Sequence, residues 1–142
     1  MTDTPRDPSN PRTSPPRFDL EERTARLGED IIAFAKQIPR TQITEPLITQ
    51  LVRSGTSVGA NYCEADDAGS RKEFRYRISV CKRECRETKH WLRMMAAALK
   101  ESADFKAEAR KHWQETKELH LIFLQSTVKP GERDNSRFGI RH

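Results

Sequence analysis

No run of apolar residues in this 142-residue chain approaches the ~20 that a membrane-spanning helix needs. Glycine is scarce, at six residues, and β-branched runs are few, which favours helix over sheet. There is no phosphate-cradling glycine loop, no H-E-x-x-H and no G-x-S-x-G, so three large groups of enzymes have no motif to stand on. Cysteine is limited to Cys63, Cys81 and Cys85, an odd count that makes a disulfide framework a poor reading. The stretch from Met1 to Arg17 is polar and proline-rich and lacks the apolar core of a signal peptide. These absences lead to the expectation of a cytoplasmic protein with reduced thiols and no membrane association.

Charge, by contrast, is abundant. One residue in three is charged, and 26 Lys and Arg against 21 Asp and Glu give a formal charge of +5. A basic balance points to an anionic partner. The length fits one domain of ordinary size. Residues 1–17, with Pro5, Pro8, Pro11, Pro15 and Pro16, have almost nothing apolar to bury and are expected to be disordered. Residues 129–142 are expected to form a flexible tail after Pro130-Gly131. The folded core is then 18–128.

Four amphipathic helices are predicted within it. The first runs from about Asp19, a possible N-cap, to Ile38, with Leu20, Thr24, Leu27, Ile31, Phe34 and Ile38 on one stripe and Pro39 as the stop. The second runs from about Glu45 to Ala65, with Thr44 as the expected cap and Pro46 in the first turn. Its Leu47, Leu51, Ser54, Val58, Asn61 and Ala65 recur at spacings of four and three. The third opens on a capping box, Ser70 with Glu73, and continues through Phe74, Ile78, Cys81, Cys85, Thr88, Leu92, Met95 and Leu99 as an unbroken heptad seam. The fourth runs from about Ala103 to Thr127, capped by Ser102, with Phe105, Ala109, His112, Thr116, Leu119 and Phe123 inward. Short links between long helices imply antiparallel neighbours, so the predicted fold is all-α: an up-down-up-down four-helix bundle.

The middle of the second helix is dense in small residues: Ser54, Gly55, Ser57, Gly59 and Ala60. Glycines there cost about 1 kcal/mol each against alanine. Either the backbone is open to a ligand, or a neighbouring helix approaches closely; the second is the simpler reading. Arg53, Asn61 and Glu64 punctuate the stretch, and Arg53 and Glu64 are candidates to anchor a hydrogen-bond network between helices or subunits. Glu64 has no second carboxylate, histidine or nucleophile at a partner spacing, so no catalytic residue is assigned.

The segment QLVRSGTSVGANYCEA (residues 50–65), followed by SRKEFRYRISVCKRECRETKHWL (residues 70–92), resembles a bacterial four-helix-bundle family. That family comprises proteins encoded in intervening sequences of 23S rRNA genes and accessory variability proteins of diversity-generating retroelements. The pattern R-S-x-x-S-[VI]-x-x-N-x-x-E falls on Arg53, Ser54, Ser57, Val58, Asn61 and Glu64. The resemblance covers the core and leaves out both tails. It implies a four-helix bundle assembled as a ring-like homopentamer, with no known enzymatic activity and, in some relatives, nucleic-acid binding.

From Arg71 to Glu101 the chain carries ten basic residues against four acids. With Ile78 at heptad position a, Lys72, Arg75, Lys82, Arg83, Arg86, Lys89 and Arg93 fill the b, e and f columns, where no acid stands. A one-signed ridge of this length suits a phosphate backbone; a solvated helix face is the plainer alternative. Tyr76 is the exceptional aromatic on this face. The c and g columns hold Val80, Trp91, Met94 and Ala98 beside Glu84 and Glu87, which a monomer is expected to expose unless the core face is simply wide. Cys81 and Cys85 lie in the seam and read as small buried hydrophobes, not as metal ligands; no metal and no cofactor are expected. His112 occupies a seam position as a polar core contact.

The resulting expectation is a non-enzymatic oligomeric scaffold that binds RNA or DNA, without sequence preference, through the third helix. The alternative is a protein-interaction adaptor whose basic surface meets an acidic partner, for example a polymerase such as a reverse transcriptase.

Overall fold

Punctuation residues set the helix limits. The computed structural model describes residues 19–128, in which α1 spans Asp19–Gln37, α2 Thr44–Asp66, α3 Arg71–Ala98 and α4 Ala103–Val128. The sequence expectations for residues 1–17 and 129–142, and for the side chain of Asp19, lie outside what is described.

Two caps stand where the sequence places them. The Ser70 Oγ accepts from the Glu73 amide at 3.1 Å, and the Glu73 carboxylate accepts from the Gly69 amide at 3.3 Å. The Ser102 Oγ accepts from the Phe105 amide at 3.2 Å. The cap of α2 differs from expectation. Thr44 is the first helical residue, and the capping oxygen belongs to Thr41, whose Oγ1 accepts from the amides of Ile43 and Thr44. Thr44 is instead a buried brace: its Oγ1 accepts from the Thr41 amide at 2.8 Å and donates to the Pro39 carbonyl at 2.6 Å. Two threonines three residues apart thus satisfy each other's backbone, a reciprocal arrangement that pairs the amides of Thr41, Ile43 and Thr44 in the turn after Pro39.

Side-chain registry shows neighbouring helices running antiparallel. Phe34, late in α1, meets Phe105, early in α4, with ring centroids 6.2 Å apart, and Arg23, early in α1, reaches Glu115 and Glu118 further along α4. Cys81 of α3 donates to the Val58 carbonyl of α2, while Arg53, a turn earlier in α2, pairs with Glu84 and Glu87, further along α3. The predicted stripes meet inside. Leu27, Ile31, Phe34, Leu51, Val58, Ile78, Leu92, Met95, Leu119 and Phe123 are fully buried, each contributing roughly 1.5–3 kcal/mol of hydrophobic stabilisation.

The small residues of α2 serve close approach to α1. A Cβ at Gly55 would stand 2.5 Å from the Ile31 Cδ1, and one at Gly59 would stand 3.2 Å from the Thr24 carbonyl oxygen. The c and g columns of α3 correct an expectation. Val80 and Glu84 are 7% and 6% exposed within the single chain, and Trp91, Met94 and Ala98 are partly covered. The buried stripe of α3 is simply wide, so these residues give no independent support for a subunit interface.

Candidate nucleic-acid interface

The motif residues of α2 build packing and polar contacts between helices. Arg53 Nη2 donates to Glu87 at 2.8 Å, and Nη1 to the buried Glu84 at 3.3 Å. A carboxylate withdrawn from water is costly unless paired, so Arg53 supports the α2/α3 contact. Asn61 donates to the Ser57 carbonyl at 2.9 Å and accepts from Arg77 Nη1 at 3.4 Å. Ser57 donates to the Arg53 carbonyl and Ser54 to that of Leu51, each within its own helix. Glu64 is exposed and stands outside this network.

The opposite flank of α3 is different in kind. Lys72, Arg75, Arg83, Arg86 and Arg93 are exposed, and Lys82 and Lys89 are partly covered by α4. Among the described residues none of the seven has a carboxylate within ion-pair distance. Arg23, Arg26, Arg40 and Arg53, all on α1, α2 or their connection, do pair. The carboxylates that pair with arginine, Glu22, Glu45, Glu84, Glu87, Glu115 and Glu118, all do so with arginines of α1, α2 or their connection. The charge along the b, e and f columns remains uncompensated.

The face does not end at α3. Its e column turns into the groove against α4, where Trp113 lies part-exposed with the Lys89 ammonium 5.8 Å and the Lys117 ammonium 5.6 Å from its ring centroid. His120, also on α4, shares this groove. Burial first, and then the charges of Lys89, Lys82 and Arg86, hold its imidazole below the usual histidine range. Trp113, Lys117 and His120 were not singled out from the sequence. They sit beside the α4 seam, and the only available signal was an aromatic and two basic groups on the flank that an antiparallel α3 would face. At the other end of the ridge Tyr76 is 58% exposed, with the Arg77 guanidinium 5.5 Å from its ring centroid.

The remaining candidates resolve into the core. Cys81 and Cys85 are buried, and burial pushes the Cys81 thiol up to about 12 and the Cys85 thiol higher still. Both are therefore poor nucleophiles and poor ligands. Among the described residues no group of three His, Cys, Asp or Glu side chains is arranged to hold a metal ion. His112 is buried against Phe34, its Nε2 3.5 Å from the Glu108 carboxylate. A groove of about 640 Å³ opens between α1 and α2, rimmed by Glu21, Glu22 and Glu29 and floored by the glycine contact. Its acidic rim makes it the electrostatic opposite of the α3 face. No described helix is long and apolar enough to cross a membrane.

No curated protein matches the chain. Among solved structures it is similar to a protein of unknown function from the S23 ribosomal protein family of Bacteroides thetaiotaomicron. The TM-score is 0.64 at 21% identity, covering 77% of this chain and 98% of that one. At that identity the likeness speaks for the fold. The family model for the 23S rRNA-intervening sequence protein matches residues 18–121, nearly the whole bundle from α1 into the last turns of α4. The chain belongs to the 23S rRNA-intervening sequence protein family.

Proposed function

We infer that the protein is a non-enzymatic four-helix-bundle scaffold that binds RNA or DNA, without sequence preference, through the basic face of α3. The observation that carries this reading is that, among the described residues, Lys72, Arg75, Lys82, Arg83, Arg86, Lys89 and Arg93 have no carboxylate within ion-pair distance, set against the pairing of arginines elsewhere. Cations without internal partners are available to phosphates, and each phosphate neutralised releases condensed counterions, which drives association. Such contacts fix position without reading sequence. The family resemblance further implies a ring-like homopentamer, which would repeat the face around the ring and raise avidity.

The test is a titration with labelled random-sequence RNA and DNA at two salt concentrations. Affinity is expected to fall with salt, with a log–log slope of roughly −0.7 to −0.9 per phosphate contact. Changing Arg86→Glu and Arg93→Glu together is expected to weaken binding to every sequence by a similar factor. The bundle itself should survive, since both side chains are exposed in the single chain; a smaller particle by light scattering would place them in a subunit interface. Absence of wild-type binding at low salt would overturn this reading in favour of the adaptor, whose acidic protein partner uses the same surface.

A further inference from the structure

The groove between α3 and α4 has a feature that phosphate binding alone does not use. Lys89 and Lys117 approach the Trp113 ring from two helices, at 5.8 and 5.6 Å from its centroid. Both distances are near the outer limit of cation–π attraction, about 6 Å, so the ring is attended by cations without being capped. Neither ammonium has a carboxylate within pairing distance among the described residues. A phosphodiester group, bearing a full negative charge over its two free oxygens, outcompetes an indole face for an ammonium. Phosphates arriving in this groove would draw the two ammoniums off the ring and free it.

What then suits the ring distinguishes one class of nucleic acid from another. In a duplex both faces of each base are covered by the neighbouring pairs, so an indole at the rim finds no stacking partner. An unpaired base offers a free face and carries phosphates on either side of it. We propose that the α3/α4 groove is a binding site for single-stranded RNA or DNA, in which an unpaired base stacks on Trp113 while Lys89 and Lys117 take the flanking phosphates. Lys82 and Arg86, on the same flank of α3, bear on this groove through His120. The proposal rests on the reading of the α3 face as a phosphate-binding surface and narrows it to unpaired strands.

The experiment uses the full chain carrying Trp91→Phe, so that Trp113 is the one tryptophan, excited selectively over the two tyrosines. The Trp91 Nε1 is buried without a hydrogen-bond partner among the described residues, so phenylalanine forfeits no bond seen there. Oligo(dT), oligo(U) and a mixed-sequence duplex, each of about 16 nucleotides, are titrated at low salt. Saturable quenching by the single strands, and tighter binding to them than to the duplex, are expected. In the otherwise wild-type chain Trp113→Ala is expected to weaken single-strand binding about tenfold, with the duplex affected less than twofold and Trp113→Phe retaining most of the affinity. Salt-dependent binding with no change in Trp113 emission, or an equal loss for both substrates in Trp113→Ala, would overturn the stacking site and leave the phosphate-binding face standing. No binding of either substrate would overturn both.

Discussion

At Gly59 the atom in the way is backbone: a Cβ there would sit 3.2 Å from the Thr24 carbonyl oxygen and 3.4 Å from the Ala25 amide nitrogen. Gly28, across the same helix pair, would place its Cβ 3.4 Å from the Thr56 Cα, an ordinary contact. Two glycines of one interface therefore have opposite expected responses. Gly59→Leu should destabilise the bundle by about 1–3 kcal/mol through overpacking. Gly28→Ala should be neutral or stabilising, since alanine gains up to about 1 kcal/mol of helix propensity. Thermal melts of the two variants check this, and an unchanged melting temperature for Gly59→Leu would mean that α1 does not lie where it is described. Which residues are small was visible in the sequence, and close helix approach was the favoured reading of them. The identity of the approaching helix was not visible, because a run of small residues does not name its partner. The burial of Cys81 and Cys85 was legible for a firmer reason: both fall on an unbroken seam spacing, and inward position alone lifts their thiols out of the reactive range.

Individual helices were largely readable, with boundaries within one or two residues of those observed. Proline, serine caps and seam spacing are local signals, written within a few positions of where they act. The cap of α2 escaped because Thr41 and Thr44 are equally good capping residues, and the choice between them depends on how the chain leaves Pro39. Ser70 offers a cleaner test of the same physics. Its Oγ is the acceptor for the Glu73 amide, so Ser70→Ala should cost about 0.5–2 kcal/mol. Amide exchange should accelerate in the first turn of α3, while the first turn of α4, capped separately by Ser102, keeps its protection. Uniform acceleration across both helices would show that the loss is global and that the cap is not a local device.

For the molecule as a whole, the basic face was half legible. The α3 columns follow from one helix's periodicity, whereas Trp113, Lys117 and His120 join them only through the registry of α4 against α3, which no single-helix pattern contains. That registry has a consequence for pH. Burial first, and then Lys89, Lys82 and Arg86, oppose protonation of His120; phosphates bound along these cations would relieve the electrostatic part of that opposition, and the complex would then take up a proton. Affinity for nucleic acid is therefore expected to rise as pH falls through the ordinary histidine range near ~6.5. His120→Gln is expected to flatten the profile. The free protein responds in the other sense. A histidine whose folded affinity for protons is depressed leaves the unfolded chain binding more protons, so stability declines as pH drops below ~6.5. Binding isotherms and melts at matched pH values separate the two effects. A wild-type affinity that does not change with pH would place His120 outside the bound complex.

The α1/α4 contact closes a circle. Arg23 joins α1 to Glu115 and Glu118 of α4, and Tyr62 of α2 meets Phe123 of α4 at a tilt, ring centroids 6.0 Å apart, at the same end of the bundle. Each helix thus touches the next one in the chain, and the last touches the first. A ring of packed helices has no intrinsic beginning. If a linker joined the end of α4 to the start of α1, and the chain were opened in the connection at 67–70 or 99–102, every side-chain contact between helices would persist. The packing fixes a cyclic order of helices, and the point at which the polypeptide enters that cycle is a separate, replaceable choice.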